Sequence, residues 1–81
     1  MANILILSVA KRKDTAVTVQ EILTKAGCMI KTRLGLHESG DGKCSDEGLI
    51  ILQLEADDND INDLVLRLEQ IEGVKSKLIN I

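Results

Sequence analysis

An internal echo runs through this chain at a spacing of 46 residues. Ile4 recurs as Ile50, Ala10 as Ala56, Asp14 as Asp60, Val19 as Val65, Gly27 as Gly73 and Lys31 as Lys77. Each copy reads as an apolar strand, an amphipathic helix, a glycine and a second strand. Few folds accommodate two such units in one short chain. A strand–helix–strand crossover is right-handed in nearly all proteins, and its helix must bury its stripe against its own sheet.

The chain has 81 residues, enough for one core and therefore one domain, residues 1–81. Apolar residues make up 44% of it, and none is Phe, Trp or Tyr, so the core must be aliphatic. The missing aromatics remove the stacking groups of single-strand RNA-binding sheets. A net charge of −3 disfavours phosphate backbones, so direct nucleic-acid binding is not expected. No apolar run approaches the ~20 residues of a membrane span. Met1-Ala2-Asn3 lacks the basic and apolar stretches of a leader, and a cytoplasmic protein is expected.

Asn3 to Val9 is apolar on both faces, as a central strand should be. Lys11-Arg12-Lys13 reads as a basic turn, with Asp14 or Thr15 capping the helix that follows. Ala16, Val19, Ile22, Leu23 and Ala26 form one helical stripe, closed by Gly27 as a residue tolerant of positive φ. Cys28 to Leu36 alternates, which suits an edge strand. Cys28, Ile30, Thr32, Leu34 and Leu36 point one way, and Met29, Lys31 and Arg33 the other. His37 to Asp46, polar and glycine-containing, reads as hairpin or loop. Gly48 to Ala56 is the second central strand. Asp57, Asp58, Asn59 and Asp60 suit a helix start, and Ile61, Leu64, Val65, Leu68 and Ile71 give the second stripe. Gly73 ends it, and Val74 to Ile81 is the last strand. The order is βαββαβ. It implies an α+β, ferredoxin-like domain: a four-stranded antiparallel sheet with both helices on one face and the first and third strands central.

Such a sheet has one face without a helix. In the third strand Ile50, Leu52, Leu54 and Ala56 form the fully apolar set and are the natural helix side. The echo then aligns Ile4, Ile6, Ser8 and Ala10 with them. Leu5, Leu7, Val9, Leu49 and Ile51 are left on the uncovered face. A patch of that kind calls for a companion, and a homo-oligomer of two-fold symmetry is expected. The competing reading lays the stems of Lys31, Arg33, Lys75 or Lys77 over the patch.

Little in the chain suggests catalysis. Ser39, His37 and Asp41 are too close along the chain for a nucleophile–base–orienter set. His37 and Cys44 are weak candidates for a transition metal, with ligands shared across subunits. No Cys-x-x-C pair exists, so Cys28 reads as a buried thiol and Cys44 as a loop thiol. Arg33 and Gly35 are the stronger pair. An arginine on an edge strand can clamp a carboxylate, and a glycine beyond it admits a ligand or a partner backbone. Arg33, Gly35 and His37 are therefore the expected ligand-binding residues, with no cofactor expected.

Arg33-Leu34-Gly35-Leu36, the strand Gly48-Leu49-Ile50-Ile51-Leu52-Gln53-Leu54, and Leu64…Leu68…Ile71-Glu72-Gly73-Val74-Lys75 resemble the iron-only hydrogenase system regulators. That family looks like a stand-alone ACT-type domain, similar also to the ligand-sensing domain of the nickel-responsive repressor. The resemblance implies an oligomeric, non-enzymatic regulator that answers to a small ligand or metal. Its partners would be copies of itself, a small-molecule effector, or a protein it regulates. A metal-sensing or metal-carrying protein using His37 and Cys44, or a structural adaptor docking on an enzyme, are the alternatives.

Overall fold

A computed structural model describes the backbone of residues 2–10, 12–40 and 43–81. It describes their side chains too, apart from those of residues 12–14, 37–40 and 43–47. The elements are β1 (Asn3–Val9), α1 (Arg12–Lys25), one 3-10 turn (Gly27–Met29), β2 (Ile30–Gly40), β3 (Lys43–Leu54), α2 (Asp58–Glu69) and β4 (Val74–Asn80). The four strands form one sheet in the order β2-β3-β1-β4, and every neighbouring pair is antiparallel. This is the ferredoxin-like arrangement expected from the sequence, with β1 and β3 in the middle. Neither described helix is long and apolar enough to cross a membrane.

Burial follows the helical stripes. Val19 and Leu23 of α1, and Ile61, Leu64 and Leu68 of α2, are buried against the sheet. α1 packs over β1 and β3, and α2 over β4. The start of α2 is fixed locally: Asp57 Oδ1 accepts from the Asp60 amide at 2.9 Å, satisfying a donor that the first helical turn leaves free. At the end of α2, Gly73 takes φ +90° and its carbonyl accepts from the Ala10 amide at 2.8 Å. A Cβ there would lie 2.9 Å from the Ala10 carbonyl oxygen, so both the dihedral and the close approach require glycine. Gly27 has no such conformation; it opens the 3-10 turn instead.

The facing of β1 is the reverse of the expectation. Leu5 and Leu7 are fully buried and Val9 nearly so, all within the helix-covered core. They stand opposite Leu52, Ile50 and Gly48 of β3, and directly opposed residues of an antiparallel pair share a face. Leu5, Leu7 and Val9 therefore cannot line an uncovered interface. Ile4 and Ile6 take that side. The cause is a single residue of offset. The identities repeat every 46 residues, but the packing repeats every 45: Leu5 corresponds to Ile50, Leu7 to Leu52, Val19 to Leu64 and Leu23 to Leu68. In a strand, where side chains alternate with period two, one residue of error turns the whole strand over.

Three smaller expectations change as well. β2 begins with an irregularity: Ile30 pairs with Leu54 but Thr32 with Gln53, so Ile30 faces the helices and Thr32 the open side. Met29 and Cys28 belong to the 3-10 turn, and Cys28 is exposed, not buried. Asp14 and Thr15 fall inside the first turn of α1, which starts at Arg12; the Thr15 hydroxyl donates to the Ala10 carbonyl at 3.4 Å. The stretch read as hairpin or loop is a hairpin whose arms pair, with Ser39 opposite Cys44 and Gly40 opposite Lys43. The sheet's hairpin thus runs well past the ends of β1 and β4.

Candidate functional site

Two features of this frame are open to a second molecule: the bare face of the sheet, and a cleft beside α1.

The bare face can be read row by row from the strand register. Leu34, Ile51, Ile6 and Lys77 form one row across β2, β3, β1 and β4. Leu36, Leu49, Ser8 and Lys75 form the next, and Thr32, Gln53, Ile4 and Ile79 the row on the other side. The centre is aliphatic. Leu34, Leu36 and Leu49 retain 50%, 46% and 38% of their full exposure, large values for leucines. Leu49 and Ile51 lie on the face where the sequence placed them, joined by Ile4 and Ile6. In these rows the lysines, Lys77 and Lys75, stand on β4. Arg33 is on the opposite face of the sheet, so it cannot cover these side chains. By strand spacing and rise, the three rows span roughly 300 Å² before the hairpin arms are added.

The cleft lies on the helix side. β2 is an edge strand beyond the part of the sheet over which α1 packs. Along this margin two helix-facing positions are glycine: Gly35, opposite Ile50, and Gly48, opposite Val9. The missing side chains leave a cleft of about 260 Å³ between α1 and the hairpin. Val9, Val19 and Ile50 give it apolar walls, and Gln20 supplies an amide.

Arg33 faces the helix side one position before Gly35, opposite Leu52. Its side chain is exposed, and it has no ion pair or hydrogen bond among the described residues. Arg33 and Gly35 are thus brought together on one face of β2, as their i, i+2 spacing requires. His37 follows in the same backbone register, opposite Gly48, but its side chain lies outside the described residues, as does that of Cys44. Among the described residues no cluster of three or more His, Cys, Asp or Glu could hold a metal. Asp57 is used in capping, and Asp63 pairs with Arg67 at 3.1 Å on the surface of α2.

Sequence reasoning missed the cleft. The usable signal was Gly35 inside an otherwise alternating strand, which marks a gap on one face. What could not be read was that α1 stops short of that strand.

No family model matches the chain, and no curated protein matches it significantly. Among solved structures it resembles the uncharacterized protein TM1266 from Thermotoga maritima. The two are 28% identical with a TM-score of 0.83, over 96% of this chain and 92% of that one. It also resembles a formyltetrahydrofolate deformylase from Pseudomonas putida KT2440, at 16% identity and a TM-score of 0.62. That match takes in all of this chain but only 29% of the deformylase chain. The chain has a small ferredoxin-like fold.

Proposed function

We propose that the protein is a non-enzymatic regulatory domain that binds a small ligand and works as a homo-oligomer assembled through the bare face of its sheet. The observation that carries this reading is the aliphatic centre formed by Ile6, Leu34, Leu36, Leu49 and Ile51 on a face that no helix covers. A contiguous apolar patch of a few hundred Å² is often functional, and larger ones mark interaction sites. A two-fold axis would place this face against itself, and identical surfaces would bury one another. The likeness to TM1266, aligned over 92% of that chain, supports the small ferredoxin-like domain on which this reading is built. The connection to the iron-only hydrogenase system rests on the likeness of Arg33 to Leu36, Gly48 to Leu54 and Leu64 to Lys75 to that group of regulators.

Sedimentation over micromolar concentrations tests the assembly. The wild-type chain is expected above its monomer mass of 8.8 kDa, and Leu34→Asp is expected to return it to that mass with its far-UV spectrum unchanged. A wild-type chain that stays at 8.8 kDa at every concentration would overturn the reading.

A further inference from the structure

Gly35 is a glycine that the fold does not require. It does not adopt a positive φ, and a Cβ built on it would meet no atom within 4 Å. A side chain would therefore fit without strain, and glycine in a strand interior carries an entropic penalty that almost any other residue would relieve. What the glycine provides is empty space. That space is the cleft of about 260 Å³ beside α1. It is larger than an engineered cavity of ~150 Å³ that admits benzene, and its walls are aliphatic.

One row along the same face stands Arg33, exposed and without a partner among the described residues. Side chains at i and i+2 of a strand are separated by about 6.6 Å of rise, within the reach of an arginine. A guanidinium binds a carboxylate through two parallel hydrogen bonds. The cleft thus offers an apolar seat, and Arg33, which does not itself line it, stands one row away on the same face of β2. We infer that the cleft between α1 and the β2–β3 hairpin binds a small branched aliphatic carboxylate, its hydrocarbon end over Gly35 and its carboxylate on Arg33. This inference rests on the reading of the chain as a ligand-binding regulatory domain, and it names the class of ligand.

The probe is 3-methylbutanoate, with 3-methylbutan-1-ol as its uncharged counterpart. Backbone amide NMR titration and thermal shift give the readouts. The acid is expected to shift the Val19, Gly35 and Ile50 amides saturably and to raise the melting temperature, because it binds the folded chain alone. The alcohol is expected to bind at least about tenfold more weakly, the loss of one charge-assisted pair. Arg33→Gln should show the same loss for the acid. Gly35→Leu should abolish the response while the unliganded chain remains folded. Gly35→Ala, which adds only one carbon to open space, should weaken it and serves if the leucine variant does not fold. No saturable shift at millimolar acid, or equal binding of acid and alcohol, would overturn the inference. So would a Gly35→Leu chain that loses self-association but still binds the acid, since the cleft would then seat a partner chain. Sedimentation without probe scores the assembly separately: an intact oligomer that ignores the acid sinks only the ligand, and a monomer that binds it sinks only the oligomer.

Discussion

Leu7 and Ile6 are neighbours in sequence, yet the structure gives them opposite roles, and alanine at each should separate those roles. Leu7 is fully buried between the sheet and the helices. Truncating it removes the transfer energy of the lost carbons and leaves a cavity, at a cost of about 3 kcal/mol. A domain of 81 residues has a total stability of roughly 4–12 kcal/mol, so the loss is a large fraction of the whole. For a chain of this size it corresponds to a fall in melting temperature of roughly 12–24 °C. Ile6 is half-buried on the bare face, opposite Ile51. Its truncation in a monomer should cost about 1 kcal/mol, from partial burial of three carbons. In an oligomer the cost should grow with protein concentration, because the lost contacts are then between chains. Urea unfolding at two concentrations, with sedimentation at each, gives both numbers. The Leu7→Ala midpoint should fall without a change in slope, by an amount independent of concentration if assembly is intact. Equal losses for the two variants under monomeric conditions, or a Leu7→Ala chain less perturbed than Ile6→Ala, would mean that the facing of β1 is misassigned.

Gly73→Ala should destabilise by about 2 kcal/mol or more, since it combines a left-handed dihedral with a 2.9 Å approach to the Ala10 carbonyl oxygen; thermal unfolding measures it, and a loss below that of an ordinary surface substitution would refute the role given to this turn. Asp57→Ala should cost about 1 kcal/mol through the lost bond to the Asp60 amide, whereas Asp57→Asn or Asp57→Ser should recover most of it; a cap-independent stability would appear as no difference among the three in urea.

The architecture was legible because it depends on coarse periodicity. The stripes of α1 and α2 and the apolar strands β1 and β3 each announce an element, and right-handed crossovers then leave one topology. The capping by Asp57 was legible for the same reason: short acidic side chains before an apolar stripe have few other uses. The facing of β1 was not legible, because β1 is apolar on both sides and its orientation was borrowed from residue identities at the wrong offset. β3 carried its own answer, with Gln53 and Glu55 marking the wetter side, and Leu49 and Ile51 fell where expected. The segment between β2 and β3 could be read as hairpin or loop from its polar residues and glycines; how far its arms pair could not, because backbone hydrogen bonding needs no apolar alternation. Arg33 and Gly35 could be picked out as a pair. That Gly35 lines a cleft, with Arg33 one row away, depends on where α1 ends over the sheet, a property of packing between distant segments.

Ala2 and Ile81 exchange both of their backbone hydrogen bonds, at 2.9 and 2.8 Å, as a further rung between β1 and β4. The two extremities of the fold are therefore clasped side by side. A bridge of a few residues could join them into a closed ring without bending any strand, and a new opening could be cut elsewhere on the perimeter. The topology demands adjacency of its pieces, not a particular order of synthesis from the ribosome.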